Sequence, residues 1–381
     1  MSRSQNRNNT GATQPFERHF TRIGCAALVF LLFSCSSLNP TQQEIPAGEA
    51  SAFLPRYSII FIIHGDGAYL FYDPDGHAHR ADEEALGGAI RVAERNPQAE
   101  VFIFHERPRR HAFLFFPLRD GKFYYYRGGQ LLARESYRRN QGSSRFDPEA
   151  RLYDRFRTAG QPRPKRFFLY FGHEIPEFDG RGYDASYSHR TFTVRDLADG
   201  LELTTRDTTK FDLIVLSTCF NGTPHTIDTL APYARTIIAS PDNLHRSYFD
   251  LQPFERLDVG LQNGDTAVFA RAFARQAFDR LSEDIQTTIT VAVYDVERVQ
   301  GFLHTVEGAY DHTLTTLKEQ SPGFFEHYDC AEDTAYALPN MSEGVDVFYQ
   351  PPRFGRLRHK ENHSGWECWK LPKKSLSKQQ L

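Results

Sequence analysis

A thiol and an imidazole stand at equivalent places after two short apolar segments of this chain. Cys219 follows the apolar run 211–216, and His173 follows a similar run, 166–171, forty-six residues earlier. Parallel strands end at one edge of a sheet, so we expect these two side chains to meet there. The pair predicts nucleophilic catalysis, with Cys219 as the nucleophile and His173 as its general base or acid. The backbone N–H groups of Glu174 and Cys219 are then predicted to bind the oxyanion of an acyl intermediate.

A cysteine at a strand end is also commonly just a small buried hydrophobic residue, and this is the structural alternative for Cys219. A rival catalytic motif is the HGDG segment 64–67, which resembles the oxyanion turn of α/β-hydrolases. That fold needs a Gly-x-Ser-x-Gly nucleophile elbow, and the chain contains none. We therefore favour a glycine-rich turn after the first strand, with His64 lining the cleft at most.

Asp73, Asp75, His77 and His79 alternate as metal ligands on a strand would. They include an Asp-Pro-Asp-Gly sequence, which is a strong turn signal, and the spacing does not fit a calcium-binding EF-hand loop. An exposed turn is the favoured interpretation, so the sequence predicts no metal site.

Five nearly all-apolar runs indicate strands of a sheet that is covered on both faces. Helical patterns separate two pairs of these runs, and such strand–helix–strand units predict a doubly wound, mostly parallel α/β sheet flanked by helices. The segment 112–135 alternates aromatic and polar residues and predicts a β-hairpin insertion. The strand runs are 57–63, 100–104, 166–171, 211–216 and 236–239, and the helices between them are 81–95 and 223–233.

A further helix (266–281), strand (287–294) and helix (from 295) predict a C-terminal α/β extension. The domain boundaries that follow are a signal peptide (1–35), a tether (36–54), a catalytic domain (55–262), an extension packed on it (263–370) and a basic tail (371–381).

The composition indicates a folded protein without an electrostatic preference for nucleic acid. The chain has 381 residues, 40% of them hydrophobic, and a net charge of −3. No basic excess is present, so nucleic acid is not an expected partner. Basic clusters at 107–110 and 138–144 flank proline or glycine and serine and are interpreted as loops.

The N-terminus predicts export. A polar stretch with arginines precedes the apolar run 25–33, which is too short to span a bilayer as a mature helix. The run ends in Leu-Phe-Ser-Cys and resembles the lipobox of a bacterial lipoprotein signal, in which Cys35 is lipidated. The predicted location is therefore outside the cytoplasm, anchored to a bacterial membrane through an N-terminal lipid. A plain secretory signal and an uncleaved anchor are the alternatives.

The cysteine count fits an oxidising compartment. Of five cysteines, Cys25 belongs to the signal and Cys35 would carry lipid. Cys330 and Cys368 could then pair as a disulfide, which would leave Cys219 as the single free thiol.

These motifs, in this order along the chain, resemble the clostripain family of cysteine peptidases, part of the caspase-like group with legumain, gingipain and separase. The family places His-Gly after its third strand and Ala-Cys after its fourth, where His173 and Cys219 stand here. Segments 236–243, 264–310 and 344–349 also resemble the family, so the resemblance covers roughly residues 55–370. It implies a caspase-like α/β fold and a cysteine endopeptidase that acts on peptides or proteins.

The resemblance also defines departures from the family pattern. Glu174 stands where the family usually has Gly, and Thr218 replaces the Ala before the cysteine. Ser217 replaces an Asp that helps the family bind Arg or Lys, and Asp242 in a later loop could supply the missing charge. Ser217 and Asp242 are therefore expected to shape the substrate pocket. The chemistry requires no cofactor. Some relatives use calcium, for which this sequence shows no clear site.

Two other functions remain open at this stage. The first is a catalytically inactive caspase-like lipoprotein that binds a partner, with Glu174 marking a degraded site. The second is an α/β-hydrolase that uses the HGDG turn, which the missing serine elbow disfavours.

The lipobox-like segment yields a direct test. Mass spectrometry of the mature N-terminus should find Cys35 carrying a diacylglyceryl group, because cleavage would occur just before this residue. A cytosolic chain that still begins at Met1 would contradict both export and the proposed Cys330–Cys368 disulfide.

Overall fold

The computed structural model describes residues 53–370 except for 66–69, 73–74, 109–110, 113–115, 118, 140–145, 161–162, 206–208, 245–249, 263, 285, 300–302, 304–326, 330–343, 364 and 367. The predicted signal peptide, Cys35, Cys330 and the tail 371–381 lie outside the described residues. The same is true of most of the predicted tether and of the side chain of Cys368.

A nine-stranded sheet forms the centre of the protein. Its strands are β1 (Tyr57–His64), β2 (Ala99–Glu106), β3 (Gly121–Arg127), β4 (Gln130–Tyr137), β5 (Lys165–Phe171), β6 (Phe211–Ser217), β7 (Ala234–Ala239), β8 (Ile289–Asp295) and β9 (Val345–Gln350). Across the sheet the order is β9-β8-β7-β6-β5-β1-β2-β3-β4. The middle strands β7, β6, β5, β1 and β2 are parallel, and two antiparallel strands close each side.

Helices cover both faces of this sheet. They are α1 (Ala81–Arg95), α2 (Asp147–Phe156), α3 (Val194–Thr204), α4 (Pro224–Leu230), α5 (Leu257–Gly260) and α6 (Thr266–Asp284). Short 3-10 turns occupy Gln252–Arg256 and Arg356–His359. Three small ladders join Leu70–Tyr72 to Ala78–Arg80, His111–Ala112 to Phe116–Pro117, and His327–Asp329 to Cys368–Lys370.

Side chains that alternate along each strand build two separate cores. On β5, Phe168 and Tyr170 pack with α2, α3 and α4, whereas Phe167, Leu169 and Phe171 pack with α1 and α6. All five are essentially inaccessible to solvent. Since both faces are buried, the central strands have to be apolar at every position, which is the pattern that their sequences show.

The predicted fold class is confirmed, and each predicted strand falls on an observed one. Helix α3 was missed, although Thr193 and Asp196 form a capping box at its start: the Thr193 N–H donates to the Asp196 carboxylate at 2.9 Å, and the Asp196 N–H donates to the Thr193 hydroxyl at 3.3 Å. A Thr-x-x-Asp sequence before an apolar run was the signal that could have found this helix. Strands β8 and β9 continue the central sheet, so the sheet crosses the predicted domain boundary at residue 262.

Candidate active site

The turns that carry His173 and Cys219 lie side by side at the carboxyl ends of two neighbouring strands. Strands β5 and β6 are parallel, and Phe171 is the register partner of Ser217. The Gly172 N–H continues this ladder by donating to the Ser217 carbonyl at 3.4 Å. His173 and Cys219 each come two residues after this last pair, and both are half-buried.

The Cys219 thiol lies against the loop that follows β7. Its Sγ is 3.2 Å from Asn243 Oδ1 and 3.3 Å from the Leu244 carbonyl, and both oxygens can accept its proton. The Leu244 N–H donates back to Sγ at 3.3 Å. Burial raises the pKa of the Cys219 thiol, and the Leu244 N–H only partly offsets this. The resting side chain is therefore a neutral thiol around pH 7.

The residue after Cys219 has a backbone conformation that side chains rarely adopt. Phe220 has φ of 51°, in the left-handed region, which costs a non-glycine residue about 1–2 kcal/mol. Two backbone bonds to the loop after β7 hold this turn: the Phe220 N–H donates to the Asp242 carbonyl at 3.0 Å, and the Gly222 N–H donates to the Ser240 carbonyl at 2.8 Å. Strained backbone of this kind is often found at functional sites.

A buried asparagine links the two turns directly. The Ile175 N–H donates to Asn221 Oδ1 at 2.9 Å, and Asn221 Nδ2 donates to the Ile175 carbonyl at 2.8 Å. Neither residue is accessible to solvent. The sequence analysis missed Asn221, because nothing in a sequence distinguishes an amide bonded to a distant backbone group from one in an exposed turn.

Glu177 supplies a second link between the same two turns. Its Oε1 accepts from the hydroxyls of Thr223, which caps α4, and of Thr226, at 3.1 Å for the latter. Burial raises the pKa of Glu177 to about 7, because the two hydroxyl bonds that favour the ionised form are too weak to compensate. A buried carboxyl group with a pKa of about 7 is thus bonded to the segment that follows Cys219. The sequence analysis missed this residue as well.

The two residues predicted to shape the substrate pocket are both buried. Ser217 is 1% exposed, and Asp242 is 9% exposed. The Asp242 carboxylate accepts from the Thr290 hydroxyl, and His363 Nε2 lies 3.4 Å from it. Any role of Asp242 in binding a basic substrate therefore competes with these internal contacts. Asn243, which is exposed and touches the thiol, was not singled out in the sequence.

His64 is the last residue of β1 and is fully buried, and residues 66–67 of the HGDG segment lie outside the described residues. Its Nδ1 lies 2.7 Å from Glu106 Oε2, which also pairs with Arg139 at 2.6 Å. Burial would raise the pKa of Glu106, but the Arg139 guanidinium and the His64 bond outweigh it and lower that pKa. Arg139 pairs with Asp184 too, at 3.0 Å. The basic cluster 138–144, predicted as a loop, thus contributes a buried charge.

No group of three or more His, Cys, Asp or Glu side chains suited to a metal ion occurs among the described residues. Asp75, His77 and His79 are exposed. Within the same part of the chain, no helix is both long enough and apolar enough to cross a bilayer.

Part of this chain is similar to a known protein family. The model of the clostripain family matches residues 173–342, which include His173 and Cys219. No curated protein sequence matches the chain.

Solved structures of similar proteins include two C11 proteases. One is a secreted C11 cysteine protease from Bacteroides thetaiotaomicron in complex with an irreversible peptide inhibitor, 13% identical, with a TM-score of 0.46 over 67% of this chain and 69% of that chain. The other is an inactive zymogen C11 protease from Parabacteroides distasonis, 13% identical, with a TM-score of 0.45 over 67% of this chain and 65% of that chain.

The buried carboxyl of Glu177 predicts a pH dependence of stability. Its pKa rises from 4.5 to about 7 on folding, so the folded state binds this proton more tightly than the unfolded state. The free energy of unfolding should therefore lose about 3 kcal/mol as the pH rises from 4.5 to 7. Glu177→Gln should remove this loss, as measured by urea unfolding across that range. Glu202→Gln, at an exposed glutamate of α3, controls for the loss of one negative charge, and an unchanged slope in Glu177→Gln would contradict the prediction.

Proposed function

Because this chain carries a clostripain-family cysteine peptidase region, we propose that it cleaves peptide bonds through His173 and Cys219. The observation that carries this proposal is the β5–β6 register, which brings the two turns together two residues beyond the pair Phe171 and Ser217. The substrates are peptides or proteins, and the chemistry requires no cofactor.

The first step is proton transfer from the thiol to the imidazole. Burial raises the pKa of the Cys219 thiol, so the thiolate does not form in advance and needs a base at the moment of attack. His173 takes the proton, and the sulfur forms a bond to the carbonyl carbon of the substrate. The carbonyl oxygen then carries the negative charge of a tetrahedral intermediate.

The N–H groups of Glu174 and Cys219 are the proposed donors to this oxyanion. The neighbouring N–H groups of Ile175 and Phe220 already donate to Asn221 and to the Asp242 carbonyl, which fixes the peptide planes on either side. The intermediate collapses by breaking the C–N bond, and His173 protonates the departing amine. Water, deprotonated by His173, then hydrolyses the thioester and regenerates the thiol.

Export and lipid anchoring through Cys35 are part of the same proposal and depend on the sequence of the N-terminus. The competing proposal is an inactive binding lipoprotein, suggested by Glu174. A thiol-reactive peptidyl probe distinguishes the two proposals. In an active site, Cys219 should react with this probe much faster than with a thiol reagent that lacks the peptide. In a degraded site, Cys219 should react with both at similar rates.

His173 and Cys219 should behave as one catalytic unit. Cys219→Ala and His173→Ala should each lower kcat by about 10³-fold or more, roughly 4 kcal/mol of barrier, measured on a peptide library. The double variant should be little worse than either single one, because each group is useless without the other.

The matched control is His77→Ala, which removes an exposed histidine and should keep full turnover. His64 is unsuited to this role because it is buried against Glu106. Hydrolysis that survives Cys219→Ala but is lost in a folded His64→Ala variant would instead support the α/β-hydrolase alternative.

A preference for Arg or Lys before the cleaved bond is proposed from Asp242. If its carboxylate binds the substrate, Asp242→Ala should reduce turnover of basic peptides much more than of neutral ones. Thr290→Val is the matched control, since it removes an internal partner of Asp242 and keeps the charge. Equal losses on basic and neutral peptides in both variants would show that Asp242 only supports the loop.

A further inference from the structure

The turns of His173 and Cys219 are connected at two places, one two residues before and one two residues after His173 and Cys219. Two positions before them, Phe171 and Ser217 form the last strand pair. Two positions after them, Ile175 and Asn221 form the bidentate amide–peptide pair, with bonds of 2.9 and 2.8 Å. His173 and Cys219 thus each lie, along the chain, midway between two fixed connections.

The second connection is made by a side chain. Strand β6 ends at Ser217, and the Phe220 and Gly222 N–H groups bond to the loop after β7. The Asn221 amide joins the peptide next to Glu174 to the turn of Cys219, and the Glu177 carboxyl joins the same two turns. A change in this amide alters the relative position of the two turns without touching either reacting group.

The bonds between Asn221 and the Ile175 peptide require a particular kind of side chain at position 221. The Ile175 peptide presents one donor and one acceptor, both buried, and a primary amide is the side-chain group that answers both at once. An ionised carboxylate accepts from the N–H but repels the carbonyl, and an alkyl side chain leaves both peptide groups unsatisfied. Of these replacements for the amide, a carboxylic acid reproduces the pattern only when it is protonated.

We propose that Asn221 is a positioning residue, which sets the separation and orientation of His173 relative to Cys219. The proposal rests on the function proposed above, in which these two residues carry out the reaction. Small errors in the alignment of reacting groups lower the rate steeply, so the effect of losing the amide should fall on the chemical step and not on substrate binding.

The test compares Asn221→Ala with Asn96→Ala on the full-length protein. Asn96 is a matched control, since it is 3% exposed and its amide also bonds backbone groups, donating to the carbonyls of Val92 and Phe254 and accepting from the Leu257 N–H. Per folded molecule, Asn221→Ala should lower kcat on the order of 10²-fold while KM changes by less than about threefold. Asn96→Ala should lose comparable stability and keep the wild-type kcat.

Asn221→Asp gives a readout that a merely structural role would not move. Its kcat should recover towards the wild-type value as the pH falls and the carboxyl becomes a donor to the Ile175 carbonyl, so its pH optimum should lie on the acid side of the wild-type optimum. Glu177, the buried carboxyl that joins the same turns, is present in both proteins and its titration cancels in the comparison. This variant also serves if Asn221→Ala fails to fold.

Two results would overturn the proposal. One is an Asn221→Ala variant whose kcat per folded molecule equals that of Asn96→Ala, and the other is an Asn221→Asp variant with the wild-type pH profile. Cys219→Ala, assayed in parallel, separates this failure from failure of the function. An inactive Cys219→Ala with a normal Asn221→Ala refutes positioning alone, whereas an active Cys219→Ala refutes the cysteine mechanism itself.

Discussion

The parallel pairing of β5 with β6 is the constraint on which the candidate site depends. The turns of a histidine and a cysteine forty-six residues apart lie side by side because both strands end at one edge and Phe171 faces Ser217 in register. A slip of one residue in this register would point every side chain of the strand to the opposite core. Such a slip is prevented because both faces of β5 are packed with large apolar groups, including Phe167, Phe168 and Tyr170. The hydrophobic core therefore fixes the site at its edge.

The order of the strands places His173 at a change in the winding of the sheet. From β1 the chain crosses to β2 through α1 on one face, whereas from β5 it crosses to β6 through α3 on the other. The sheet therefore changes winding direction between β1 and β5, and loops diverge at the carboxyl ends of these strands. His173 follows β5 at this switch point. His64, the last residue of β1, lies at the other side of the switch point, but it is buried with Glu106 and Arg139 in an ion-pair network.

Much of this arrangement could be predicted from the sequence, because it depends on local patterns. Runs without polar residues identified the central strands, and α1 was predicted with its observed bounds, 81–95. The partners of buried polar side chains could not be predicted in the same way. Asn221 and Glu177 bond groups forty-six residues away, and no periodicity in the chain encodes these contacts. Arg139 lies in a loop, as predicted, but its burial and its ion pairs with Glu106 and Asp184 could not be predicted, since these partners come from distant segments.

Two kinds of interaction thus determine the position of the two turns. The apolar core brings the turns into contact, but core packing alone tolerates small shifts that a proton transfer does not. The polar bonds supply the finer constraint, because a buried peptide group that loses its partner pays a desolvation penalty and so resists displacement. Phe220 has a left-handed backbone conformation, and these bonds must offset the strain that it causes. For this reason we expect the residues that control the rate to include buried polar groups that no catalytic motif would identify.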